Sequence, residues 1–234
     1  VAKRKKGRIG LLFKLLLVLA LLGAGAWLYL QHERSGWRPT DEEYPDQGAL
    51  VGEGDGAVDF EVLKGLGASF VYLEASRGAR GKDANFSRNL EAAREARLQV
   101  GAVHLFDPCE TADGQSANYV TIVPRDADLL PPTIRLSRLA DDCPERVSDA
   151  AVQSELLTLV NQIEAHTEAP VVLAPSEQFE DRYRPARRLE RSLWLDGDME
   201  EPVYAGRPWT VWTANSAYVS PAAEKPLRWL VVRP

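Results

Sequence analysis

Five times between Ala49 and Tyr183 a short apolar run is followed by a stretch of helical spacing, and after Tyr183 three more apolar runs follow with few helical residues between them. The runs read as strands over 49–51, 69–75, 99–104, 131–139 and 169–173, then 192–195, 209–213 and 227–232. Asp59, Ser148 and Ser176 stand where helix N-caps belong, ahead of segments with apolar residues on one face. Pro131-Pro132 cannot continue a helix, so Thr133 and Ile134 start extended. Such a chain is α/β with a mostly parallel sheet. A modified (β/α) barrel, with five strand–helix units and a less helical end, accommodates the runs better than an open sheet. The turn Gly52-Glu53-Gly54 lacks the third glycine of a dinucleotide-binding turn and would set acids beside a pyrophosphate, so no nucleotide cofactor is expected.

Charge divides the chain. Six of the 28 basic residues lie in the first 14 positions, with no acid among them, and residues 15–30 carry no charge. The remainder therefore holds 22 basic against 34 acidic residues, an acidic body that argues against nucleic acid as a partner. Residues 1–8 read as a basic cytoplasmic tail and 9–30 as a transmembrane signal-anchor, long enough for a hydrocarbon core of roughly 30 Å. Residues 31–46 read as a polar linker and 47–234 as the barrel. This predicts a single-pass inner-membrane protein with an extracytoplasmic barrel. The alternative is secretion after cleavage at Ala24-Gly25-Ala26.

Two cysteines, Cys109 and Cys143, both fall in the part expected to be exported. In an oxidising compartment they are expected to pair; the alternative is two buried free thiols. With three scattered histidines they offer no metal-ligand spacing, so no metal is expected.

Several stretches together resemble the family 25 glycoside hydrolases, lysozymes that cut peptidoglycan. The run 48–56 is similar to the family's opening Gly-Val-Asp-Val-Ser-x-x-Gln-Gly, and 71–78 to Ala-Tyr-Ile-Lys-Ala-Thr-Glu-Gly. The run 101–106 resembles Gly-Ala-Tyr-His-Phe-Phe, and 131–137 resembles Pro-Val-Val-Asp-Leu-Glu. Residues 207–213 resemble the family's Trp-x-x-Trp-Gln strand, and 225–232 the closing Pro-Val-Asp-x-Asn strand. The resemblance implies a barrel of the kind read above and an active site at the mouth formed by the strand ends.

Departures from the family pattern fall on its acids. Leu50, Arg135, Ser137 and Arg228 occupy the four acidic positions, and Thr213 stands where the family has Gln. Glycoside hydrolysis normally needs one carboxylic acid to protonate the leaving oxygen and one carboxylate to attack or to activate water. Arginine stays protonated and serine is a poor proton donor at neutral pH. The sequence therefore predicts a lysozyme-like pseudoenzyme that binds peptidoglycan or another envelope glycan or protein, with no cofactor. Its candidate pocket comprises Glu53, Asp55, Glu74, Arg77, His104, Arg135, Arg138, Trp209, Thr213 and Arg228. The alternative is a muramidase using relocated carboxylates, drawn from Glu53, Asp55, Glu74, Asp107, Asp141 and Asp142. His104 is read as a core or rim residue, and Trp209 and Trp212 as either sugar-stacking or barrel-filling. The run Arg182, Arg184, Arg187, Arg188 and Arg191 is read as a solvated face, or as a contact for an anionic polymer.

Overall fold

The computed structural model describes residues 13–23, 25 and 33–234. The chain divides into Val1–Trp37 and Arg38–Pro234. In the first unit, residues 13–23 are helical. Among the described residues no helix is long and apolar enough to cross a membrane. This overturns the expected inner-membrane span and the membrane as a partner, because the described helix is about half of the ~20 residues a span requires. The rest of the expected span, at 9–12, 24 and 26–30, and most of the alternative cleavage site lie outside the described residues.

The second unit contains β1 (Gln47–Val51), β2 (Ala68–Arg77), β3 (Gly81–Lys82), β4 (Gln99–Leu105) and β5 (Thr133–Leu136). These are followed by β6 (Val172–Pro175), β7 (Ser192–Asp196), β8 (Val211–Tyr218) and β9 (Leu227–Val232). Its helices are α1 (Phe60–Gly65), α2 (Phe86–Glu95), α3 (Ala112–Ile122), α4 (Asp149–Thr167), α5 (Glu177–Tyr183) and α6 (Pro185–Arg188). Hydrogen bonding runs β1-β9-β8-β7-β6-β5-β4-β2, and β1 pairs again with β2, closing an eight-stranded barrel with β3 appended to β2. Within the barrel all neighbours are parallel except β9, which is antiparallel to both β8 and β1, and the appended β3 is antiparallel to β2. The barrel is therefore mixed and not TIM-like. The cause is the connection: residues 219–226 contain no helix and are too few for a parallel crossover, which needs about a dozen.

The expected caps are formed. Asp59, Ser148 and Ser176 accept from the backbone N–H of Val62, Ala151 and Phe179 at 3.0, 3.2 and 3.3 Å. Inside the barrel, Leu50, Phe70, Tyr72, Val103, Val172, Ala174, Trp194, Val211 and Leu230 pack together. Removing a large side chain of this kind from water contributes roughly 1.5–3 kcal/mol. Gly101 makes room for the Tyr72 ring, since a Cβ there would lie 2.2 Å from a ring carbon.

Residues 38–46, the second half of the expected linker, are tied to the barrel through Gln47, which is fully buried. Its amide nitrogen donates to the carbonyls of Pro39 and Tyr44 at 3.1 and 2.9 Å. Its oxygen accepts from Arg38 at 2.9 Å and from Trp229 Nε1 at 2.6 Å.

Candidate functional site at the barrel mouth

Side chains alternate along each strand, so the residues one step beyond the apolar interior line the mouth at the C-terminal strand ends. On β2 the interior positions Phe70 and Tyr72 are followed by Glu74. Tyr72, packed beneath, has its phenol pushed up to about 12 by burial. On β5, Arg135 occupies this level, and on β7 it is Asp196, above Trp194. On β9, which runs the other way, it is Arg228, before Leu230.

These four charges form two sets. Arg135 Nη2 donates to Asp196 Oδ2 at 2.8 Å, with the guanidinium 5.9 Å from the centre of the Trp194 ring. To do so it reaches across β6, where its register partner is the small Ala174. On the other side, Glu74 lies 3.8 Å from both Arg228 and Arg77. Gly52, just past β1, leaves room for this carboxylate, because a Cβ there would sit 2.8 Å from Glu74 Oε2. Burial raises the Glu74 pKa above the ordinary carboxylate value, opposed by Arg228 and Arg77 and reinforced by Asp55. A cleft of 310 Å³ beside it is lined by Glu53, Glu74, Ser76, Arg77, Lys82 and Asp83, among others.

Other candidates take separate places. Leu50 is fully buried in the barrel interior, and Ser137 is exposed just beyond β5. Asp55 turns back to accept from Gly52 N–H at 2.8 Å, and Glu53 N–H donates to Asp83 at 2.6 Å. Arg138 pairs with Asp107 and donates to the carbonyl of Asp142 at 3.0 Å. Asp141 pairs with Arg182.

Three residues of the expected pocket do not line the mouth. His104 is fully buried between the barrel and α3, with Nδ1 2.7 Å from Ser76 Oγ and Nε2 3.2 Å from Gln115 Oε1. Burial pushes its pKa down to about 4. Its neighbours on β4, Val103 and Leu105, face the barrel, so alternation turns His104 outward. Trp209 precedes β8 and is buried against Tyr44, Trp212 and the Arg233 guanidinium, so it has no free face for a sugar. Thr213 faces inward, but its hydroxyl is spent accepting from Trp194 Nε1 at 2.7 Å.

Cys109 and Cys143 form a disulfide joining the loops after β4 and β5. Among the described residues, the grouping with metal-ligand spacing is Asp107, Cys109 and Cys143, whose sulfurs are bonded to each other. It offers no thiolate and does not fit a metal site.

Residues 51–221 match the model of the glycosyl hydrolases family 25. The chain belongs to family 25. A family 25 glycosyl hydrolase from Bacillus anthracis shares the fold with a TM-score of 0.76 at 22% identity, over 84% of this chain and 92% of that one. A bacterial lysozyme from Streptomyces coelicolor follows it with a TM-score of 0.72 at 20% identity, over 81% and 92% of the two chains. In sequence, 73 residues are 33% identical to Lysozyme M1 of Streptomyces globisporus, which is 31% of this chain and a quarter (25%) of that protein. For a family 25 member, the partner that sequence reasoning missed is Asp196. It stands at the end of an ordinary apolar run, and only the arginine two strands away gives it a role.

Proposed function

We propose that this lysozyme-like domain binds peptidoglycan without hydrolysing its glycosidic bonds. One observation carries the reading: Glu74 and Asp196, the carboxylates set directly above the apolar interior, face arginines at Arg77, Arg228 and Arg135. Two-carboxylate hydrolysis needs an acid on one side of the scissile bond and a free carboxylate on the other. A guanidinium supplies neither, and it repels the positive charge that develops on the sugar ring. The barrel fold of the family is kept, while these two carboxylates stand against arginines.

A second reading rests on Glu74. Its pKa is raised by burial, which suits a general acid, and Asp55 supplies a second carboxylate nearby. One experiment separates the two. Full-length protein is incubated with purified peptidoglycan, and both sedimentation and release of reducing ends are followed. Co-sedimentation without release supports the binding reading. Release that is lost in Glu74→Gln overturns it in favour of hydrolysis.

A further inference from the structure

Two guanidinium groups converge on one carboxylate at the edge of the cleft, and neither is close enough to hydrogen-bond it. Arg228 and Arg77 each stop 3.8 Å from Glu74, beyond the 2.7–3.2 Å range of an N–H···O bond. The carboxylate is only 17% exposed, whereas the guanidinium-bearing side chains are 41% and 68% exposed. The acid is thus the buried floor; Arg77 lines the cleft, and Arg228 reaches the same carboxylate from β9. Counted as ionised groups, the trio carries one net positive charge. Arg135 and Asp196 cancel each other opposite, as do Arg138 and Asp107.

A planar guanidinium binds a carboxylate through two parallel N–H···O bonds, a geometry that Glu74 does not satisfy. The 310 Å³ cleft beside Glu74 and Arg77 has room for such a group, with Lys82 on the same wall. Glu53 and Asp83 on its rim disfavour a polyanion, which would bring several charges past them, and favour a single carboxylate. We infer that Arg77 and Arg228 form a carboxylate-binding subsite for an acidic group of the cell-wall polymer. This rests on the peptidoglycan-binding reading above and names the part of the polymer that is held. Two parts carry that chemistry: the peptide stems, and the lactyl group of muramic acid where no stem is attached to convert its carboxylate to an amide.

The test is isothermal titration of the full-length protein with three probes. They are a sugar-free stem tetrapeptide, a peptide-free disaccharide containing N-acetylmuramic acid, and a neutral N-acetylglucosamine oligomer. At least one acidic probe binds, the neutral oligomer binds at least tenfold more weakly, and the acidic probe that binds identifies the source. Arg228→Ala weakens that binding about tenfold or more. Arg77→Ala, which alters an exposed side chain and leaves the fold intact, does the same. Equal affinity for the neutral oligomer, or unchanged affinity in both variants, overturns the subsite. Co-sedimentation with intact peptidoglycan while neither acidic probe binds removes the subsite and leaves the binding reading standing. Binding of an acidic probe without co-sedimentation supports the subsite and removes the reading it was built on.

Discussion

Arg135 illustrates how a charge in a barrel mouth depends on a partner two strands away. A guanidinium at this level, with its side chain 13% exposed, needs a counter-charge, and Asp196 supplies it over the gap left by Ala174. Arg135→Met strips Asp196 of its partner and is expected to cost about 1–3 kcal/mol. The double variant with Asp196→Asn is expected to recover part of that, measurable as a coupling energy in denaturant titrations. Two buried titratable groups give opposite pH signatures. His104, with a folded pKa of about 4, takes up a proton more readily when unfolded. Its contribution is present above about pH 6.5 and is lost as pH falls toward 4. His104→Gln is expected to flatten the stability profile across that window. Glu74 behaves in reverse, since its folded pKa is raised. The charged form becomes a burden as pH rises past the ordinary carboxylate value, and Glu74→Gln gains on the native protein over that rise. Arg228, Arg77 and Arg135 oppose the rise that burial causes in this carboxyl, and Asp55 adds to it.

At the scale of elements, the disulfide and the close-packed glycines define where the barrel tolerates change. Cys109 and Cys143 are separated by 34 residues, and closing such a loop contributes about 3–4 kcal/mol in the chain-entropy model. Reduction, or paired Cys→Ser changes, is expected to lower the unfolding midpoint accordingly. Gly101→Ala drives a methyl group into the Tyr72 ring and is expected to cost about 1–3 kcal/mol, with a lowered midpoint in the same titration. The elements themselves were largely legible in the sequence. The alternating run 227–232 is the observed β9, and capping residues placed three helices. Where the reading slipped, a non-local effect decided. Trp209 sits in an apolar run, yet β8 begins at Val211, because Tyr44 and Arg233 hold the ring outside the barrel. The direction of β9 followed from the length of its connection and not from its composition. At the site, family resemblance pointed to Arg135 and Arg228. Asp196 and the spacer Ala174 carry no local signal, because their roles exist only once β5, β6 and β7 lie side by side.

The molecule as a whole is a family 25 barrel whose strand ends set Arg135 beside Asp196 and Arg77 and Arg228 beside Glu74. The closed ring leaves the main sheet without a free edge, and the strongly acidic composition beyond the basic N-terminal stretch favours solubility. The reversed strand within the barrel has a further consequence. Because β9 runs against β1, with Gln47 opposite Val231, the barrel's first strand begins where its last one finishes, at the end remote from the mouth. A surface coupled just after β9 would display the cleft outward, and a short splice from the end of β9 to the start of β1, with a break opened in an exposed loop, would yield a rearranged barrel with the same strand order.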